Sequence, residues 1–245
     1  MLASVKKQKL HSQLNKMSVV IVEYPLILLN LKTYEEAMGQ KAIEFSRIAE
    51  KVNEKTGISI AIAPQTIDIA AVTVSGETPV FAQHIDPIYY GKYTGHSLPE
   101  AVAEAGAYGT LLNHSERQIT LEIIEASIKR AKEVDLVTVV CADTVDMAKK
   151  IALLGPDAIA IEPPELIGSG VSVSTAQPEI VSGAVTAVKS INPDVKVLCG
   201  AGITNGDDAS AALKLGAKGI LVASGVVKAK DPYRALLELA RAMQH

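Results

Sequence analysis

Residues 158–170 read AIAIEPPELIGSG. Ala158 to Ile161 is an apolar run too short for a helix and without polar alternation, so it reads as a strand buried on both faces. Glu162 stands at its carboxyl end, where a carboxylate is costly unless it has a partner or a task. Pro163 and Pro164 stop the strand and stiffen the start of the next segment, whereas Gly168 and Gly170 loosen its far end. The segment reads as a lid with one rigid and one loose hinge, set beside a buried acid.

Working outward, the same kind of run recurs at Leu26 to Leu31, Ile58 to Ala63, Pro79 to Gln83, Tyr108 to Asn113, Leu136 to Cys141, Val195 to Gly200 and Gly219 to Ala223. With the strand at Ala158 to Glu162 this makes eight. Between them, apolar residues return every three or four positions: Phe45, Ile48, Ala49, Val52; Leu121, Ile124, Ile128, Ala131; Val181, Ala184, Val185, Val188; Leu236, Leu239, Ala240, Met243. That spacing predicts one buried helical face in each stretch.

Helix starts and stops carry their own signals. Thr33 with Glu36 fits a capping box, Asp231 before Pro232 an N-cap and first-turn proline, and Pro178 opens the helix after the lid. Gly57, Gly106, Gly155 and Gly216 fall where a helix must end before the next strand. Eight strand and helix pairs without a linker or composition break imply α/β architecture, as a single closed (β/α)8 barrel of parallel strands surrounded by helices. An open doubly wound sheet fits less well, because no G-x-G-x-x-G follows the first strand.

Composition agrees. The 245 residues are 48% apolar but only 4% aromatic, with no tryptophan, so the core must be aliphatic, which suits stacked parallel strands. Two cysteines, Cys141 and Cys199, make no disulfide framework. Without a secretory apolar core or a membrane-length run, the chain reads as soluble, reduced and cytoplasmic. Residues 1–16 carry Lys6, Lys7, Lys9 and Lys16 and no acid, and read as a basic, disordered or weakly helical extension ahead of a catalytic domain spanning 17–245. An amphipathic helix through Leu2, Val5, Leu10 and Leu14 is too irregular in spacing to press. Removing those four lysines from the chain's 24 basic residues leaves 20 against 27 acidic ones, a net charge of −7 that argues against a nucleic-acid partner.

In a barrel of this kind, chemistry sits at the carboxyl ends of the strands. Those ends offer Asn30 and Lys32; Gln65; Gln83 and His84; Asn113, His114, Ser115, Glu116 and Arg117; Cys141; Glu162; Gly200, Ala201 and Gly202; and Ala223, Ser224 and Gly225. A base, an imidazole, an ammonium and two small-residue turns converge on one mouth. Glu162 otherwise reads as a strand-end ion pair or helix cap, Lys32 as a solvated lysine, and His84 and His96 as structural histidines.

Five of these motifs carry a resemblance. NLK after the first strand, NHSER after the fourth, EPPELIGSG after the sixth, CGAG after the seventh and LVASG after the eighth resemble the triosephosphate isomerases, in particular their short archaeal form. They run in order from about residue 22 to 243. The family has a TIM-barrel fold and interconverts dihydroxyacetone phosphate and glyceraldehyde 3-phosphate, in glycolysis and gluconeogenesis, with no cofactor and no metal.

The resemblance implies roles. Glu162 is the proton acceptor that works between adjacent carbons, and a lid that strips water from a carboxylate raises its basicity. His114 is the electrophile, lying against a helix opened by Ser115, Glu116 and Arg117, whose dipole disfavours the imidazolium. This acid and neutral-imidazole pair is a standard illustration of environment-set protonation. Glu116 reads equally as a first-turn acid, an orienter or a proton relay. Lys32 supplies positive charge to the substrate and the enediolate, with Asn30 holding it and contacting substrate. The phosphate is held by backbone N–H groups of Ile167 and Gly168 in the lid, of Gly202, and of Ala223 and Ser224, where turns feeding a short helix favour a dianion. Lys228 and Lys230 read as surface charge.

Departures from the commoner pattern are visible too. CGAG lacks the tyrosine and serine that latch the lid after strand seven, and Glu165 stands where a tryptophan is usual. The short segments after Arg117 and Ala142 match the compact archaeal type, for which the resemblance implies a homo-oligomer, a tetramer rather than a dimer. Thr94, Gly95 and His96 resemble the loop that docks into a neighbouring subunit. Another barrel enzyme acting on a phosphorylated sugar would share the phosphate turns but not NLK, NHSER and the EPP lid together. A non-catalytic barrel would bind sugar phosphate without isomerising it.

Overall fold

In a computed structural model of the chain, residues 22–163, 166 and 172–244 are described. The expectations placed on residues 1–16, Pro164, Glu165, Ile167, Gly168 and Gly170 lie outside these.

The strands are β1 (Leu26–Asn30), β2 (Ser59–Ala63), β3 (Phe81–Ala82), β4 (Gly109–Leu112), β5 (Val137–Ala142), β6 (Ala158–Ile161), β7 (Lys196–Cys199) and β8 (Gly219–Val222). Each lies within a residue or two of an apolar run in the sequence. They pair in parallel in the order β2-β1-β8-β7-β6-β5-β4-β3, with Leu26 opposite both Ser59 and Gly219. The ring closes between β2 and β3 through a parallel bridge of Ile62 with Val80, where the Ile62 N–H donates to the Pro79 carbonyl at 3.0 Å.

Around the ring stand α1 (Gln40–Thr56), α2 (Ile69–Thr73), α3 (Pro99–Glu104), α4 (Leu121–Glu133), α5 (Val145–Leu154), α6 (Val173–Ala176), α7 (Pro178–Ile191), α8 (Gly206–Lys214), α9 (Ser224–Val227) and α10 (Pro232–Ala242). Among the described residues, no helix is long and apolar enough to cross a membrane.

Two apolar layers hold this arrangement. Inside the ring, Leu26, Leu28, Phe81, Leu111, Leu198 and Leu221 meet the small Ala61, Ala63, Ala158 and Ala160. Large side chains face small ones, so the barrel is filled rather than hollow. Outside it, Phe45, Ala49 and Val52, Ile124, Ile128 and Ala131, Val181, Ala184 and Val188, and Leu236, Leu239 and Ala240 cover the strands. Their three- and four-residue spacing is the one read from the sequence. Each large aliphatic side chain so buried contributes about 1.5–3 kcal/mol.

Helix ends explain where the chain turns. The Asp231 carboxylate accepts from the Arg234 N–H at 3.1 Å ahead of Pro232, Pro178 opens α7, and Gly57 and Gly155 adopt the left-handed conformation that ends α1 and α5. The Thr33 and Glu36 capping box does not form. A single 3-10 turn, Glu35–Ala37, follows Tyr34 without a side-chain cap, and α1 begins only after Gly39. Gly39 at φ +56 breaks the helix there, and the Asp68 carboxylate accepts its N–H at 3.0 Å. A long-range cap has replaced the local one.

Candidate active site

Strand ends deliver the charged groups to one mouth. The Glu162 N–H donates to the Ala142 carbonyl at 2.8 Å, extending the β5–β6 ladder by one residue and fixing the acid's backbone. Its side chain is 6% exposed, and Oε2 has no hydrogen-bond partner among the described residues. Burial first, then the Glu162 charge, pushes the neighbouring Cys141 thiol well above its usual range. Cys199 is likewise pushed up to about 12, by burial and then by Glu162 and Asp208.

His114 follows β4 at 8% exposure. Its Nδ1 accepts the Glu116 N–H at 3.2 Å, so the ring proton sits on Nε2 and the ring is neutral. Nε2 lies 3.8 Å from Glu162 Oε2, beyond hydrogen-bond distance, and both residues face the same cavity. The helix dipole expected behind this imidazole is not there. Ser115–Arg117 is one isolated 3-10 turn, and α4 starts at Leu121 behind its own cap, Thr120. Gln118 is extended, and the Ile119 N–H is drawn to Asn113 Oδ1 at 3.0 Å, which keeps turn and helix apart. One directed N–H does the work assigned to a dipole.

Lys32 takes φ +48, a left-handed conformation costly for a residue with a Cβ. Two side chains hold it. Asn30 Oδ1 accepts its N–H at 2.9 Å, and Gln83 Nε2 donates to its carbonyl at 2.9 Å. The ammonium is paired with Glu116 Oε1 at 2.8 Å, with a side chain only 10% exposed. Glu116 therefore both orients the ammonium and supplies the N–H that fixes the imidazole, so of its three sequence readings the orienter is the one this geometry favours.

These groups line a cavity of about 270 Å³ together with Asn30, Tyr34, Ala201, Gly202, Ile203, Thr204, Ala223, Ser224 and Gly225. The volume falls below the roughly 300–1,000 Å³ of pockets for drug-sized ligands and suits a small metabolite. Ala201 (φ +68) and Gly202 (φ +70) form a left-handed pair that turns this segment across the mouth. Beside it, α9 opens at Ser224, and first-turn N–H groups have no intrahelical acceptor. A Cβ at Gly225 would come within 2.9 Å of the Ile203 carbonyl oxygen, so only glycine lets the two turns close together. One cavity thus joins these backbone turns to the acid, the imidazole and the ammonium.

The sequence profile of the family "Triosephosphate isomerase" matches residues 25–243. The chain belongs to the triosephosphate isomerase family. Named triosephosphate isomerases are similar to it at 53% identity over 216 residues in Methanocaldococcus jannaschii, covering 88% of this chain and 99% of that one. The similarity is 55% over 217 residues in Methanosarcina acetivorans, covering 89% and 98%. A crystal structure of triosephosphate isomerase from Bartonella henselae shares the fold, with a TM-score of 0.73 at 20% identity over 90% of this chain and 99% of that one.

Of the triosephosphate isomerase site residues read from sequence, the structure brings Asn30, Lys32, His114, Glu162, Gly202, Ala223 and Ser224 to one cavity; Ile167 and Gly168 lie outside the described residues. Three braces had no signal as such. Gln83, whose Nε2 also donates to the Ala63 carbonyl at 3.0 Å, and Asn113, whose Nδ2 donates to the Cys141 carbonyl at 2.9 Å, were visible only as polar strand ends. Tyr34 lies two residues beyond Lys32, and the exposed Lys228 places its ammonium 4.3 Å above the tyrosine ring centre.

Gly200 shows how tightly Glu162 is seated. A Cβ there would lie 2.4 Å from Glu162 Cγ, so the buried acid would have to shift to admit it. Gly200→Ala should cost about 1–3 kcal/mol of stability and lower kcat by about 10- to 100-fold through displacement of the carboxylate, as read by thermal melting and steady-state kinetics.

Proposed function

We propose that the chain interconverts dihydroxyacetone phosphate and D-glyceraldehyde 3-phosphate by proton transfer through an enediolate. The observation that carries this reading is that Glu162 Oε2 and His114 Nε2 lie 3.8 Å apart in the lining of one small cavity, with both side chains nearly buried. Glu162 takes a proton from the carbon beside the carbonyl, and the electron pair moves onto the carbonyl oxygen. The Nε2–H of His114 hydrogen-bonds that oxygen and moves a proton between the two oxygens, while the Lys32 ammonium offsets the developing charge. The carboxylic acid then returns its proton to the neighbouring carbon, so atoms and charge balance without a cofactor.

Asn30 holds Lys32 and touches substrate. Gly202, Ala223 and Ser224 bind the phosphate through N–H groups, with no basic side chain needed in an acidic chain. Ile167 and Gly168 keep their place in this scheme on the family resemblance alone. The same reading puts the chain in the cytoplasm, in glycolysis and gluconeogenesis, as a homo-oligomer, a tetramer rather than a dimer. The loop bearing Tyr90 (75% exposed) and Tyr93 (46% exposed) supports self-association, since exposed aromatics of this size favour an interface. Purified full-length protein should convert glyceraldehyde 3-phosphate in a coupled assay, with inorganic phosphate inhibiting competitively. Phosphate binding without turnover would favour a non-catalytic barrel instead.

A further inference from the structure

Asp208 is a buried acid that the isomerisation does not use and that the motifs do not include. It lies in the first turn of α8 at 8% exposure, and both carboxylate oxygens are engaged. Oδ2 accepts from the Thr204 N–H at 3.1 Å and from the Thr204 hydroxyl at 3.3 Å. Oδ1 accepts from the Thr175 hydroxyl of α6 at 3.0 Å. The Asp208 carbonyl takes the Ser174 hydroxyl at 2.9 Å, and Ser174 in turn accepts from the Ser172 hydroxyl at 2.8 Å. Beside them, the Val173 N–H donates to the Ala201 carbonyl at 3.3 Å.

The arrangement has a direction. Ala201 and Gly202 are both left-handed, and a non-glycine residue holds that conformation only where its surroundings enforce it. Thr204, two residues on, lines the cavity, and Asp208 fixes its backbone N–H while gripping α6 with the other oxygen. A plain first-turn acid that answers the helix dipole needs none of this; Asp207, the exposed neighbour in the same turn, already fills that role. CGAG lacks the tyrosine and serine latch of the commoner pattern, and Asp208 ties together the same two regions, the turn after β7 and the chain returning from β6, by different chemistry.

We propose that Asp208 is a positioning residue for phosphate recognition: it clamps the turn from Ala201 to Thr204 against α6 and so aims the N–H donors of that turn at the phosphate of the substrate. This rests on the phosphate assignment made under the proposed function. Charge-assisted hydrogen bonds hold a turn more firmly than neutral ones. An asparagine would keep the shape but set an amide N–H2 against one of the donors now facing a carboxylate oxygen.

The test compares full-length Asp208→Asn with Asp207→Asn. For Asp208→Asn, KM for glyceraldehyde 3-phosphate and the Kd for inorganic phosphate should each rise about tenfold, kcat should fall less, and isomerisation of unphosphorylated D-glyceraldehyde should change by less than about twofold. Asp207→Asn should move none of these. If Asp208→Asn does not fold, Thr175→Val removes one donor outside the cavity and should raise both constants about threefold. Unchanged KM and Kd, or an equal loss on phosphorylated and unphosphorylated substrates, would overturn the proposal. Calorimetric phosphate binding reads the clamp without turnover, so an inactive parent protein would sink the isomerase reading while a tenfold weaker Kd in Asp208→Asn still upheld the clamp.

Discussion

Glu162→Gln should lower kcat by about 10³-fold, the scale of a lost general base, while the protein melts no lower than the parent and still binds inorganic phosphate. The two halves of this expectation share one cause. Glu162 Oε2 is buried without a partner among the described residues, and a buried carboxylate that lacks a donor is held at a cost. Glutamine has the same shape and no charge, so that cost is relieved as the chemistry is lost. In a chain of this length each kcal/mol regained raises Tm by about 2–4 °C. Steady-state kinetics, calorimetry and a thermal melt give the three readings. Turnover within tenfold of the parent, or a collapse in Tm, would show that Glu162 is structural.

The second large effect is expected at His114. Asparagine is the sharper replacement, because it caps a helical turn well and can keep the acceptor that His114 Nδ1 now offers to the Glu116 N–H. It cannot reach across to Glu162, which the ring does at 3.8 Å. His114→Asn should therefore lose about 10²- to 10³-fold in kcat, with a stability change within about 1 kcal/mol. If instead Tm falls sharply and kcat barely moves, the imidazole is a cap and not the electrophile.

Most of the frame was readable because parallel barrels write it repeatedly. Ala158 to Ile161 is buried on both faces, and so is every other strand, so the apolar runs needed no alternation to be recognised. The faces through Ile124, Ile128 and Ala131, or Leu236, Leu239 and Ala240, declared themselves by spacing alone. The site was legible where a residue type stands at a strand end, as with Glu162, His114 and Lys32. It was not legible where function depends on bonds between distant segments. The α1 start hangs on Asp68, 29 residues beyond Gly39. The neutral imidazole hangs on a 3-10 turn that local sequence presents as the start of a helix. Asp208 carries no motif, and Thr175, which it grips, lies 33 residues earlier.

The joint between β2 and β3 has little ladder to spare, since β3 spans Phe81–Ala82 alone and the contact is a single bridge. At that joint the Gln83 amide donates to the carbonyls of both Ala63 and Lys32. One side chain therefore acts as the clasp of the hoop and as the bearing on which the ammonium turns. Loosening the circle at this thin point and misdirecting the positive charge are, in this protein, the same event.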